Sequence, residues 1–164
     1  MRLIFALAIL TLTGCQRADE AAPAGEDSAV TNAGPALVDA PLARTVSDGT
    51  LQWGACPPVF PAGCELAVFH GDPAKPNADV FFRVPGGYAI PAHTHSSAER
   101  MILVTGKLDV RYQGAQPVTL LPGNYAYGPA RLPHRATCIA AEACTLFIAF
   151  EGPVDVEPFA DAVN

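Results

Sequence analysis

Basic residues are scarce in this 164-residue chain: 10 Lys and Arg stand against 16 Asp and Glu, giving a formal charge of −6. No basic patch or Lys/Arg-rich run stands out, which argues against nucleic acid as a partner. Charged residues make up only 16% of the chain while half of it is apolar, a balance too apolar for a disordered protein. Apolar runs long enough to cross a bilayer as a helix are also lacking, since about 20 residues are needed. The one long run, Leu3 to Leu12, is too short and lies at the very start. No repeat of solenoid length is visible. What the chain does have is 16 prolines and 14 glycines, which favour turns and short strands over long helices. The composition therefore predicts one small, turn-rich, soluble all-β domain with something extra at its N-terminus.

That extra segment has the build of an export signal. Arg2 precedes the apolar run, which ends in Leu12-Thr13-Gly14-Cys15. The ending resembles the lipobox of bacterial lipoproteins. The resemblance implies that residues 1–14 are removed and that Cys15 becomes the lipidated N-terminus. Gln16, where Asp would imply retention in the inner membrane, implies the periplasmic face of the outer membrane. Several acyl chains make a stable anchor where one binds only marginally. From Gln16 to about Ala43 the sequence is rich in Ala, Pro, Gly, Asp and Glu and has no helical or strand period. It reads as a disordered tether. The expected division is residues 1–14 signal peptide, 15–45 lipidated cysteine and linker, and 46–164 folded domain.

Beyond residue 45, short apolar stretches recur between Gly, Pro and Asn. Nine candidate strands are Leu51–Trp53, Leu66–His70, Val80–Val84, Met101–Thr105, Leu108–Tyr112, Val118–Leu121, Tyr125–Tyr127, His134–Ile139 and Thr145–Phe150. Lys107 to Tyr112 alternates between a wet and a buried face. Thr145 to Phe150 is apolar at nearly every position, as in a strand covered on both sides by another sheet or by a dimer contact. Nine short strands with tight turns predict a sandwich or barrel.

The four histidines are His70, His93, His95 and His134. His93, His95 and Glu99 share one parity in an extended chain, so even with a bend at Ser96-Ser97 they can converge. Imidazoles and a carboxylate suit a first-row divalent metal. His134 follows the rigid stretch Pro129-Ala130-Arg131-Leu132-Pro133 and is the candidate fourth ligand. His70 precedes the turn residues Gly71-Asp72-Pro73 and reads as a loop or strand-end histidine.

Gly87-Tyr88-Ala89-Ile90-Pro91-Ala92-His93-Thr94-His95-Ser96-Ser97-Ala98-Glu99, with Gly106 beyond it, resembles the first motif of the cupin superfamily at each defining position. Pro129 to His134 resembles the second motif more loosely: Arg131 stands where cupins usually carry Gly, and Cys138 where they often carry Asn. The resemblance covers about residues 60–152. It is closest to small single-domain cupins and to the cupin half of metal-binding anti-sigma factors. It implies a cupin-type β-barrel or jelly roll holding one divalent transition metal (Fe, Mn, Zn, Ni or Cu) through His93, His95, Glu99 and His134. Met101, Leu103 and Thr105 share the face of Glu99 and are expected below the metal. Ile102 and Val104 form a second apolar face, explained equally by a homodimer contact or by packing against the other sheet. Tyr88, Tyr125 and Tyr127 are candidate pocket donors, although packing roles are expected for each. Arg131 is a candidate for holding a substrate carboxylate, against a simpler role as a solvated turn residue.

With Cys15 assigned to the lipid, Cys56, Cys64, Cys138 and Cys144 remain, an even number in an oxidising compartment. Four cysteines allow three pairings, and local pairing of Cys56 with Cys64 and of Cys138 with Cys144 is expected from the short turn-rich loops between them.

Two classes of function follow. One is a metal-dependent oxygenase, oxidase, isomerase or lyase acting on a small chelating molecule such as an oxo- or hydroxy-acid or a catechol-like ring. The other is a metal- or ligand-binding module that senses without turnover.

Overall fold

The computed structural model describes residues 41–163, and over these residues the chain forms eleven strands and no helix. The signal peptide, Cys15 and most of the expected tether fall outside the described residues. In chain order the strands are β1 (Gly54–Ala55), β2 (Glu65–His70), β3 (Asp79–Val84), β4 (Ala89–Thr94), β5 (Glu99–Thr105), β6 (Leu108–Tyr112), β7 (Val118–Leu120), β8 (Tyr125–Gly128), β9 (His134–Cys138), β10 (Cys144–Phe150) and β11 (Glu157–Pro158).

They make two antiparallel sheets, one of order β1-β2-β3-β10-β5-β8 and one of order β11-β4-β9-β6-β7. Consecutive strands alternate between the sheets at several points, as in a jelly roll. Side chains from the inner faces fill the space between the sheets. Val80 and Phe82 of β3, Leu103 of β5, Val110 of β6 and Leu146 and Ile148 of β10 belong to this one buried cluster. Alternation dictates the choice: on β10 the residues Leu146, Ile148 and Phe150 point inward, whereas Phe147 points outward.

The outward face is not bare. Leu51, Ala67 and Phe81 form a second buried cluster, against which Val46, Trp53, Phe69, Val104 and Phe147 pack. Phe69 lies over Phe81 with ring centroids 4.8 Å apart, and the Arg83 guanidinium stacks 3.8 Å from the centroid of Trp53. This explains why Thr145–Phe150 is apolar on both sides. Its second face, and Val104 beside it, are covered by the chain's own segment around Val46–Trp53 rather than by the other sheet. Ile102, at the margin of the cluster, remains 39% exposed.

Most of the expected strands are present within a residue or two. Leu51–Trp53 is not a strand: its side chains cap the outer cluster, and pairing begins at Gly54. β4 and β11 were not expected as strands. β4 reads Ala-Ile-Pro-Ala-His-Thr, a polar and proline-containing stretch. Pro91 is tolerated because the β4–β9 register shifts between Ile90 and His93, the bulge being where a sheet accepts proline. β11 pairs only Glu157 and Pro158 with β4.

Both local disulfides are in place. Cys56 is bonded to Cys64 and Cys138 to Cys144, with Cα atoms 5.4 and 5.8 Å apart. The second closes the β9–β10 connection; the first closes the loop before β2.

Candidate metal centre

Three strands and one bend deliver the four ligand candidates to one place. His93 is near the end of β4, His95 lies just beyond it, and Glu99 opens β5 after the bend at Ser96-Ser97. His134 opens β9 and sits directly across from His93 in the β4–β9 ladder. All four are buried. The three histidines each offer a nitrogen within 4.8 Å of the other two.

The backbone decides which nitrogen that is. His93 Nδ1 donates to the carbonyl of Pro91 at 2.8 Å, and His134 Nδ1 to the carbonyl of Leu132 at 3.1 Å, each two residues back. His95 Nδ1 donates to the carbonyl of Asp155, sixty residues away in sequence. A carbonyl oxygen can only accept, so each Nδ1 carries a hydrogen and each neutral ring keeps its lone pair on Nε2. The Nε2 atoms of His95 and His134 face Glu99, 3.5 Å from Oε2 and 3.1 Å from Oε1 respectively. The His134 approach is poorly aligned for a hydrogen bond, so Oε1 is a buried carboxylate oxygen without an aligned donor. Three oriented imidazole nitrogens and an orphaned carboxylate oxygen fit a divalent transition metal.

Electrostatics agree with that use. Burial, reinforced by the charge of His134, drives the pKa of His93 down to about 3, so its ring stays neutral and able to ligate. Burial alone would raise the Glu99 pKa, but contact with His134 and the charges of His95 and His93 hold it below the usual carboxylate value. Burial opposes protonation of His134, yet Glu99 and the Leu132 carbonyl raise its pKa.

Two residues that the sequence did not single out shape the centre. Gly128 lies across the β5–β8 ladder from Glu99, and a Cβ there would meet the Glu99 side chain. Asp155 orients His95 through its carbonyl and ties the bend through its carboxylate, which accepts from Ser96 N at 2.9 Å. Neither has a local signal, because each acts on a residue far away in the chain.

Next to the ligands lies a cavity of about 70 Å³ between the sheets. Met101 lines it, whereas Leu103 is wholly buried in the core and does not. The tyrosine and arginine candidates lie elsewhere. Tyr127 faces outward and is half exposed, because it pairs with Arg100 rather than Glu99 in the ladder; Tyr125 is likewise exposed on that face. Tyr88 is packed in the core, its hydroxyl donating to the Pro61 carbonyl at 2.6 Å. The Arg131 side chain is exposed, while its backbone N–H donates to the His95 carbonyl at 2.8 Å. His70, at the end of β2, lies 3.6 Å from Asp79 and stands apart from the cluster.

Several solved structures share the fold. An acetylacetone dioxygenase from Acinetobacter johnsonii superposes with a TM-score of 0.56 at 21% identity, over 77% of this chain and 83% of that one. An RmlC-like cupin from Shewanella frigidimarina gives 0.54 at 17%, over 65% of this chain and 86% of that one. The DMSP lyase DddQ from Ruegeria pomeroyi gives 0.55 at 20%, over 66% of this chain and 60% of that one. The chain thus spans about three fifths of the length of that lyase. No curated protein matches the sequence. The family model of the ChrR cupin-like domain matches residues 43–155, a span that holds both sheets' central strands and all four candidate ligands, and the chain belongs to that family.

Proposed function

We propose that this protein is a lipid-anchored cupin of the bacterial cell envelope, on the periplasmic face of the outer membrane, that binds one divalent transition metal through His93, His95, Glu99 and His134 and acts as an enzyme on a small chelating molecule. The observation that carries this reading is the cavity adjoining the ligands: a purely structural metal needs no room beside it, whereas a substrate does. A divalent metal held there supplies Lewis-acid or redox chemistry to a chelated molecule. The chain's own residues set the ligand orientation through three backbone carbonyls, keep Glu99 ionised and exclude bulk water from the centre. Enzymes among the fold's neighbours, such as the acetylacetone dioxygenase, support the same reading by analogy.

A second reading is favoured by one feature of the lining. Apart from the four ligands, Asp155 is the only polar residue among the described residues that line the cavity, and its carboxylate already accepts from Ser96 N, so the lining offers little acid or base chemistry for turnover. A module that binds a ligand and reports it would need none. A homodimer is the remaining partner proposal, with exposed Ile102, Tyr125 and Tyr127 at the β8 edge as its contact.

Metal analysis of protein taken from its own periplasm, followed by a substrate screen under air and under argon, separates the readings. One metal per chain with product formation supports the enzyme. Tight ligand binding with no product supports the sensor, and absence of metal rejects the enzyme.

A further inference from the structure

The cavity beside the metal centre is walled mainly by strands, and the way into it is marked by the residues that are not in strands. Apart from Leu66 on β2, every strand residue of the lining is buried. Five others in the lining reach solvent: Pro57 and Phe60, from the loop closed by the Cys56–Cys64 disulfide, and Val154, Asp155 and Val156, ahead of β11. The entrance therefore lies between these two segments.

The two segments are held differently. Val154 N donates to the Pro73 carbonyl at 2.8 Å, the Asp155 carbonyl accepts from His95 Nδ1, and the Asp155 carboxylate accepts from Ser96 N at 2.9 Å. That segment cannot move without turning a candidate metal ligand. The loop of residues 57–63 has no such bond to a candidate ligand among the described residues. Within it Phe60 N donates to the Pro57 carbonyl at 3.0 Å, and at its base Cys56 N donates to the Cys64 carbonyl at 3.2 Å beside the disulfide. It is tied to the barrel by the Tyr88 hydroxyl on the Pro61 carbonyl and by the Phe60 ring, which stands edge-on to His93 and Phe82 with centroids 5.3 and 5.7 Å away. Such ring contacts are modest and easily remade, and a loop clasped at its base can swing as a unit.

We propose that Phe60 is the specificity-determining residue of this entrance: its ring plugs the cavity, and the loop, clasped by the disulfide, swings to admit compact molecules and hold out branched ones. The cavity behind the ring, about 70 Å³, has room only for a compact occupant. This deepens the enzyme reading above, because it names what a substrate must pass, but its test needs no metal.

Met101 supplies the probe. It lines the cavity, is buried, and is the one methionine among the described residues. A hydroperoxide that enters transfers one oxygen to its sulfur, giving the sulfoxide, and leaves as water or as tert-butanol. Metal-free full-length protein is treated with hydrogen peroxide or with tert-butyl hydroperoxide, and peptide mass spectrometry follows the Met101 sulfoxide. Each rate is divided by that oxidant's rate on free methionine. In the wild type the branched oxidant should be the slower on this scale. Phe60→Ala removes two aromatic contacts and should speed the tert-butyl reaction about tenfold, and the hydrogen peroxide reaction much less. Phe60→Leu should act in the same direction by less, and it carries the test if Phe60→Ala does not fold. Phe69→Ala truncates a ring of the outer cluster and should leave the ratio of the two rates at its wild-type value. An unchanged ratio in the Phe60 variants, or an equal change in Phe69→Ala, overturns the gate. If the same protein then takes up no divalent metal, the metal reading fails while the gate stands.

Discussion

A Cβ on Gly128 would stand 2.7 Å from Glu99 Oε1 and 2.8 Å from Glu99 Cγ. The two residues are direct partners in the β5–β8 ladder, so the missing side chain is the space in which the carboxylate lies. Gly128→Ala should push Glu99 away from His134 without disturbing the pairing of the strands, since the φ of Gly128 is not in the left-handed region. Displacing a ligand by a few tenths of an ångström should lower metal affinity by about 10–100-fold, the range seen when outer-shell support is lost. Competition against a chromophoric chelator measures it, and thermal unfolding should show a change of less than about 2 kcal/mol. Unchanged affinity would mean that Glu99 does not bind the metal.

The metal assignment itself is tested by comparing two histidines. His95→Ala removes a ring from the centre of the cluster and should reduce metal content from about one per chain to a small fraction, while the barrel stays folded on its apolar core and two disulfides. His70→Ala, beside Asp79 and away from the cluster, should leave metal content unchanged. Equal loss in both variants would point to general destabilisation. Full retention in His95→Ala would remove the site.

How far the sequence could anticipate this arrangement depends on how local each signal is. Strands β6 and β10 are legible because alternation and continuous apolarity report burial directly. β4 is not, because it carries His93 together with a proline at a bulge, so the functional residues erase the apolar pattern that marks a strand. The spacing of His93, His95 and Glu99 is visible because one short segment holds all three. Asp155 and Gly128 are silent because their effects are exerted across the sheet or from the chain's far end. The direction of Tyr127 is not legible for a simpler reason: whether it points inward or outward depends on the register between β5 and β8, which sequence parity within one strand does not fix.

Arg131 offers a stability test. Its φ is 61°, in the left-handed region that costs a non-glycine residue about 1–2 kcal/mol. This is the position at which the resemblance to cupins leads one to expect Gly. The strain is retained because the Arg131 N–H closes on the carbonyl of His95 and so steadies the ligand loop. Arg131→Gly keeps that hydrogen bond and removes the strain, while the more flexible unfolded chain offsets part of the gain. A net stabilisation of about 0.5–1 kcal/mol is expected in denaturant unfolding, with metal affinity unchanged.

Cys15→Ser tests the anchor. If the lipobox is used, the variant should lose its acyl chains and leave the membrane fraction, or persist as unprocessed precursor. A processed variant that stays membrane-bound after a high-salt wash would overturn the lipoprotein reading.

Acid should act on the metal-free protein through opposite contributions that can be separated. The His93 pKa falls from an ordinary 6.5 to about 3 on folding, so below pH 6.5 the unfolded chain takes a proton that the native ring refuses. Stability is therefore lost as pH falls from 6.5 towards 3, at up to about 1.4 kcal/mol per pH unit. Glu99, held below its ordinary value, adds stability that is present above pH 4.5 and is lost as pH falls through its native pKa. His134 has the other sign: its raised pKa contributes fully below 6.5 and is lost as pH rises through the native value. In an NMR titration of the metal-free chain, the His93 ring should show no protonation above about pH 4, while His134 should still be titrating above 6.5. Metal must displace the His134 proton, so calorimetry near pH 6.5 should show a binding enthalpy that varies with the buffer's ionisation enthalpy. A His93 that titrates near 6.5 would contradict the burial of the cluster. A binding enthalpy independent of buffer would mean that His134 holds no proton against Glu99.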